Sequence, residues 1–279
     1  MNFRYGLKPT VVSIVRDMSF ETLLVDRADG IVTVTLNRPE KKNAANGAMW
    51  DELLFNFREV AANDQDRVMV LTGAGGAFCA GTDLSDLSGT PEADRFGPGA
   101  DDPRAKEPWV IVACPKPVIA AIDGPAYGMG VEIATQCDVR IASTAARFGW
   151  VFVHRGLVPD MGAGTFLLPR LIGPSAALRV LLSGEPIDAA EAERIGFVSA
   201  VVPPEALLDA ARSEAERYLS GSPFAVARTK RLLYESMGGE VADHLRRHRA
   251  ALGECFASDD HREGVASFLE RRPARFTGT

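Results

Sequence analysis

Two glycine-rich stretches hold the groups best suited to chemistry. Residues 73–84 carry Gly73, Gly75, Gly76 and Gly81 ahead of Thr82 and Asp83. Residues 124–132 carry Gly124, Gly128 and Gly130 around Met129, ahead of Glu132. Each follows a short apolar run, at 68–72 and 117–122. Glycine lets a backbone approach a ligand closely and adopt unusual dihedrals. Free N–H groups at such turns, above all at a helix start, hold an anion. Two of them converging would form an oxyanion hole. Tight turning alone would use the same glycines. Neither stretch has the G-x-G-x-x-G spacing of a dinucleotide site, and a G-x-x-x-x-G-K-[ST] phosphate loop is absent.

The flanking patterns say what must position these loops. Leu23 and Val25, then Ile31, Val32, Val34 and Leu36, alternate around Asp29-Gly30 and predict a hairpin. Met49, Leu53, Leu54, Phe57 and Val60 recur at helical spacing over 46–62. Short buried strands are expected at 68–72, 117–122, 139–143 and 198–202, with helices over 131–137, 174–183 and 188–194. From 205 onward the chain reads as helical, with basic clusters at Arg228, Lys230, Arg231 and 246–249. Residues 1–19 read as a short extension or edge strand. The polar stretch 85–107, rich in Gly, Pro and Asp, predicts a mobile surface loop. The order of elements implies an α/β architecture with a helical C-terminal region.

Composition narrows the classes. The 279 residues are 46 % hydrophobic and 24 % charged, which places the chain among globular proteins rather than disordered ones. With 31 Lys+Arg against 37 Asp+Glu, the net charge is −6, against a general nucleic-acid footprint. Cys79, Cys114, Cys137 and Cys255 form no C-x-x-C pair, so neither a zinc site nor a disulfide framework is expected, and a reducing cytoplasm is the default. No apolar run approaches a membrane span, and the N-terminus has the pattern of neither a signal nor a transit peptide.

From Phe20 onward the chain resembles the crotonase, or enoyl-CoA hydratase/isomerase, superfamily. The resemblance rests on Leu36-Asn37-Arg38-Pro39-Glu40-Lys41-Lys42-Asn43-Ala44, on 71–84, and on Lys116-Pro117-Val118 through Asp123-Gly124. It continues over 132–138, Arg147-Phe148-Gly149, Gly156-Leu157-Val158-Pro159, 189–196, Glu263-Gly264 and 268–273. It implies a spiral of ββα units over 20–204. It also implies a helical oligomerisation region over 205–279, assembled as a homotrimer or dimer of trimers. The substrate implied is an acyl-CoA thioester, with coenzyme A arriving as part of it and no permanent cofactor. Fold does not settle the reaction, because this family hosts several.

By position, the resemblance assigns the oxyanion hole to the backbone N–H groups of Thr82 and Met129. Many members carry Gly where this chain has Met129. Glu132 falls at the first catalytic carboxylate, although an acidic residue in a first helical turn is also favoured by the macrodipole. Phe152 stands where paired-glutamate hydratases carry the second glutamate, and an apolar residue there would dry the site and raise the Glu132 pKa. Asp160, in Asp160-Met161-Gly162, matches an aspartate of some isomerases. It serves either as a catalytic partner or as a helix N-cap. His154 lies between them and could titrate near neutrality, with a packed or surface role as the alternative. Substrate and CoA contacts are implied at Lys42, Ala44, Ala80, Asp83, Leu84, Phe152, Phe268 and Arg271. Lys41 and Lys230 are weaker candidates, more simply explained as solvated surface lysines. Asp83 is expected to support its turn or cap its helix rather than to act chemically.

Hydration and double-bond isomerisation of an enoyl-CoA both follow from this reading. Thioester or C–C bond hydrolysis, non-catalytic acyl-CoA binding and RNA binding are the alternatives.

Overall fold

A computed structural model describes residues 20–83, 85 and 109–279. The expected N-terminal extension, Leu84 and nearly all of the polar 85–107 stretch lie outside the described residues. Strands β1 (Leu23–Ala28) and β2 (Ile31–Leu36) form the expected hairpin. Asp29 and Gly30 both take positive φ, 54° and 81°, the backbone of a two-residue turn that matches strand twist. Helix α1 (Gly47–Ala62) starts where Asn46 accepts from the Met49 N–H at 2.9 Å. It buries Met49, Trp50, Leu53, Leu54, Phe57 and Val60. Then come β3 (Val68–Gly73), the short α2 (Val110–Ala113), β4 (Val118–Ile122) and β5 (Pro125–Tyr127). Helix α3 (Met129–Gln136), β6 (Val139–Ser143) and β7 (Arg147–Gly149) follow. Next are α4 (Ala163–Phe166), α5 (Leu168–Ile172), α6 (Pro174–Ser183), β8 (Ile187–Asp188), α7 (Ala189–Arg194) and β9 (Ala200–Val202). Four helices close the chain: α8 (Leu207–Leu219), α9 (Pro223–Ser236), α10 (Val241–Ala257) and α11 (Asp259–Glu270).

The main sheet runs β1-β2-β3-β4-β6-β9 and is parallel from β2 onward. Its central strands are buried on both faces, as a parallel sheet requires. One face carries Val32, Val34, Met69, Leu71, Val118 and Ala120 into the cluster that includes α1 and α3. The other carries Ile31, Val68, Val70, Ile119, Ala121 and Ile141 against Leu207, Ala211 and Ala215 of α8. A second, small sheet, β5-β7-β8, lies alongside. The chain passes from β4 to β5 through Gly124, φ 60°, where a Cβ would overlap the Gly76 carbonyl. Strand in the large sheet, strand in the small sheet, then helix is the order at β4-β5-α3 and again from β6 and β7 to α4.

Several expectations change. The turn expected over 124–130 contains β5, and α3 begins at Met129, not 131. β7 and β8 are too short to show a pattern in sequence. The last strand begins at Ala200, because Phe197 and Val198 turn inward as core. Lys230 is not a solvated lysine. Its Nζ donates to Asp138 Oδ2 at 2.7 Å and to the Lys116 and Ile111 carbonyls. Tyr234 donates to Asp138 Oδ1 at 2.9 Å. This satisfied cluster pins α9 to the core and takes Lys230 out of any ligand role.

Candidate active site

The two glycine-rich loops are zipped together by backbone bonds. The N–H groups of Phe78 and Cys79 donate to the Pro125 carbonyl at 3.1 and 3.0 Å, and Tyr127 N–H donates to the Cys79 carbonyl at 2.9 Å. Gly130 permits this approach, since a Cβ there would overlap the Cys79 carbonyl and sit 2.8 Å from its Cβ. Gly81, φ 105°, brings its backbone alongside Met129, so that a Cβ on it would lie 3.7 Å from the Met129 nitrogen. Neither Thr82 N–H nor Met129 N–H donates to any described residue. Met129 opens α3 after Gly128, whose φ of 52° and ψ of −122° suit only glycine, and no side chain caps that end. Two unpaired donors, one of them at a helix N-terminus, thus lie on neighbouring backbone segments. The far end of α3 is closed by Arg140. Its Nε donates to the Phe197 carbonyl at 2.6 Å and Nη1 to the Cys137 carbonyl at 2.5 Å.

Glu132 stands one turn into α3 and is 0 % exposed. Its Oε1 accepts from Gly164 N–H at 2.8 Å, and Oε2 has no hydrogen-bond partner among the described residues. Burial pushes its pKa up to about 8, and the nearby charge of Asp160 pushes the same way. The Gly164 and Ala163 N–H groups and the Trp150 indole act in the opposite direction but do not cancel the burial. A carboxyl that is neutral near pH 7 and ionises just above it suits proton transfer.

The remaining candidates sort by position. Asp160 is exposed and acts through space on Glu132. It is not the N-cap of α4, because Gly162 holds that place with φ 74° and no side-chain cap. Phe152 is buried in the 3-10 turn Val151–Arg155 and adds no charge. His154 is exposed and packs beside Gly184, where a Cβ would meet its Nε2 at 2.7 Å. Cys79 is buried, and burial raises its thiol pKa to about 11, which leaves it inert as a nucleophile.

The 38–45 segment is clasped to the first glycine-rich loop. Asn43, buried with φ 56°, accepts from Arg38 N–H and donates to the carbonyls of Ala74 and Ala77. Ala80 N–H donates to the Lys42 carbonyl at 3.0 Å, and Ala45 N–H to the Gly81 carbonyl at 2.8 Å. Lys41 and Lys42 are exposed and Ala44 is half-buried beside them. Asp83 accepts from Ser85 Oγ at 2.6 Å and from Arg38 Nη2 at 2.9 Å, and these bonds hold its pKa near 2. Phe268, 82 % exposed, and Arg271 stand at the end of α11. No described hydrogen bond or ion pair joins them to the 38–45 segment within one chain.

Sequence reasoning missed Gly164, Trp150, Asn43 and Arg140. Asn43 falls within a motif of the family resemblance, but its role, like that of the other three, runs through partners distant along the chain. Gly164 offers a direct test. A Cβ there would lie 2.5 Å from Glu132 Oε1 and 3.2 Å from Pro159 Cγ. Gly164→Ala should therefore displace the carboxylate and lower kcat by about 10²-fold, the cost of roughly 1 Å of misplacement. Steady-state kinetics with an unchanged circular-dichroism spectrum would check it, and unchanged kcat would contradict it.

The sequence profile described as enoyl-CoA hydratase/isomerase matches residues 26–279. The chain is 37 % identical to a crotonyl-CoA hydratase of Syntrophomonas wolfei, over 93 % of this chain and 99 % of that one. It is 35 % identical to a 1,2-epoxyphenylacetyl-CoA isomerase of Escherichia coli K12, over 92 % and 99 %. The crystal structure of an enoyl-CoA hydratase from Bacillus anthracis superposes with a TM-score of 0.85 at 32 % identity, covering 93 % of this chain and all of that one.

Proposed function

The chain belongs to the enoyl-CoA hydratase/isomerase family and acts on acyl-CoA; from that premise we propose that it adds water across the 2,3 double bond of an enoyl-CoA, with Glu132 as the cycling acid and base. The observation that carries this reading is Glu132 itself, buried, held at one oxygen by Gly164 N–H and unpartnered at the other. The thioester oxygen sits between the Thr82 and Met129 N–H groups. Water bonds through its oxygen to C3 while ionised Glu132 takes one of its protons. The π pair moves onto the thioester as an enolate held by the two donors. Glu132 then returns the proton to C2, so that one water is added and the enzyme is restored. One carboxylate suffices for this cycle, which accommodates Phe152.

Double-bond shift of a 3-enoyl-CoA is the second reading. It is favoured by Phe152 in place of a second carboxylate and by the charge of Asp160 close to Glu132. There Glu132 takes a proton from C2 and returns it to C4, with Asp160 as partner. Mass analysis of products from crotonyl-CoA and a 3-enoyl-CoA separates the two. Gain of one water from crotonyl-CoA supports hydration, and only a mass-neutral shift of the 3-enoyl substrate overturns it. Hydrolysis loses support because His154 packs on the surface. Binding alone leaves the raised pKa of Glu132 without use, and RNA binding is disfavoured by the net charge of −6.

Catalysis starts from ionised Glu132, whose pKa is raised to about 8. The kcat/KM for hydration should therefore rise with pH and level off above that value. A pH profile with its acidic limb near the ordinary glutamate value would contradict the assignment.

Lys42 and Ala44 meet the CoA nucleotide, Ala80 and Asp83 support that loop, and Phe152 lines the acyl path. Phe268 and Arg271 reach a neighbouring subunit's ligand. The α9–α11 region leaves Leu233, Leu245, Leu252, Phe256, Val265, Phe268 and Leu269 exposed, which supports a homotrimer or dimer of trimers built on 205–279. Light scattering should give a trimeric or hexameric mass, and a monomer would overturn this assembly. No permanent cofactor is needed, since coenzyme A enters with the substrate. No helix among the described residues is long and apolar enough to cross a membrane. Free cysteines fit a cytoplasmic location.

A further inference from the structure

Two buried polar groups beside the reacting centre lack partners, and they are complementary. Trp150 is 1 % exposed, and its Nε1–H meets no acceptor in hydrogen-bond geometry among the described residues. Glu132 Oε2 likewise meets no donor. Both residues border Gly164. A Cβ there would lie 2.5 Å from Glu132 Oε1 and 3.2 Å from Trp150 Cδ1, the ring carbon bonded to Nε1. The indole N–H also acts on the Glu132 carboxyl as a hydrogen-bond donor does, lowering its pKa, although the pair falls short of full hydrogen-bond geometry. Its orientation is fixed by packing. The ring meets Phe197 edge-on at 5.0 Å, and Phe197 meets Phe148 edge-on at 5.2 Å. Rotating the N–H toward another acceptor would break that stack.

A buried donor and a buried acceptor both left open within one side-chain cluster call for an explanation, such as a water or ligand atom that completes them. Their chemistry limits the ligand. With Glu132 ionised, as at the start of catalysis, a carbonyl would answer only the indole, and an ammonium only the carboxylate. An alkyl chain would answer neither. A hydroxyl oxygen accepts from Nε1–H and donates to Oε2 at once. Phe152, two residues further along, contributes no polar atom to this spot.

We propose that Trp150 Nε1–H and Glu132 Oε2 together bind one hydroxyl-type oxygen, the atom that is water before addition and the 3-hydroxyl of the acyl chain afterwards. Trp150 is then a substrate-positioning residue that supplies, as a neutral donor, the second contact to that oxygen. This rests on the hydration reading above. In the addition step the indole keeps its proton. It holds the oxygen at C3 while Glu132 removes and returns the proton.

The test is Trp150→Phe, which keeps an aromatic ring against Phe197 and removes the N–H. Calorimetric affinities of 3-hydroxybutyryl-CoA and butyryl-CoA report on the hydroxyl. The kcat and KM for crotonyl-CoA hydration report on the water. The wild-type protein should bind the hydroxylated ligand about tenfold more tightly than butyryl-CoA, the value of roughly one net hydrogen bond. In the variant that preference should fall below about twofold, while kcat drops about 10- to 100-fold and KM shifts less than about threefold. The acidic limb of the pH profile should also move upward, because the carboxylate loses a nearby donor. The proposal is overturned if the variant keeps the hydroxyl preference, if both ligands weaken equally, or if hydration is unchanged. A wild-type protein that does not hydrate crotonyl-CoA would defeat the hydration reading alone. The two affinities would still decide whether the indole binds a hydroxyl, and no preference in the wild type would overturn it.

Discussion

Glu132→Gln will leave a folded protein that binds acyl-CoA and turns it over about 10³-fold or more slower, toward the upper end of what general acid–base catalysis contributes. The amide has the shape of the carboxyl but cannot accept and return a proton. Its carbonyl can still take the Gly164 N–H that Oε1 takes at 2.8 Å, so the side chain stays in place. Its NH₂ would then stand where Oε2 stands and face another donor in Trp150. Affinity for an unreactive acyl-CoA should change by less than about threefold, because CoA recognition lies elsewhere. A variant that keeps wild-type turnover would remove Glu132 from catalysis.

The same variant carries a stability signature with a definite sign. The Glu132 pKa rises from the model-compound value of 4.5 to about 8 on folding. The folded state therefore holds a proton that the unfolded chain releases. Stability from this group is fully present below about pH 4.5 and is lost as pH rises through about 8. Glutamine does not titrate. Melting temperatures of wild type and variant should thus diverge with rising pH, the variant gaining on the wild type between pH 5 and pH 9. Parallel curves would mean that Glu132 is not neutral in the fold.

Gly130→Ala is expected to cost about 10²- to 10³-fold in kcat, because it moves the proposed oxyanion donor while leaving the proposed acid–base side chain chemically unaltered. The new Cβ would overlap the Cys79 carbonyl, which already accepts from Tyr127 N–H at 2.9 Å. That neighbour is backbone, so no rotamer change relieves the clash. The two glycine-rich loops must separate, and Met129 N–H, one residue away, moves with them. Losing one such donor is worth roughly 2.7–4 kcal/mol in a comparable site. Overpacking adds a stability cost of about 1–3 kcal/mol. Gly253→Ala is the matched control. Gly253 lies within α10, and a Cβ on it meets nothing within 4 Å. That change should leave kcat unaltered and stabilise slightly, since alanine is the better helix former by roughly 0.8–1 kcal/mol. Equal kcat in Gly130→Ala and Gly253→Ala would separate the loop junction from catalysis.

Local order was largely legible in the residues. Asp29-Gly30 between alternating apolar residues specifies a hairpin, and the apolar spacing from Met49 to Val60 specifies α1. The buried runs of β3 and β4 show no alternation, because both their faces are covered. These signals act through neighbours a few positions apart, where backbone geometry alone decides which side chains share a face. The glycine turns belong to the same class, since a positive φ is a property of one residue. The resemblance to a known family added Glu132, Thr82 and Met129 as site positions, which no spacing rule would supply.

Tertiary structure decided the chemistry of those positions. Glu132 is an ordinary first-turn acid in sequence. It becomes a carboxyl of raised pKa because the surrounding core excludes water from it, even though the Gly164 N–H, thirty-two residues away, pulls the other way. Asp160 matches an N-cap in sequence, yet the positive φ of Gly162 gives the cap to glycine and leaves Asp160 as a charge near Glu132. Lys230 reads as surface until it is seen paired with Asp138, ninety-two residues earlier. Trp150 reads as core until its N–H is found unanswered beside an unanswered carboxylate oxygen. Burial and long-range pairing depend on which distant segments meet. Desolvation then sets the charge state, and neither quantity is written in any window of adjacent residues.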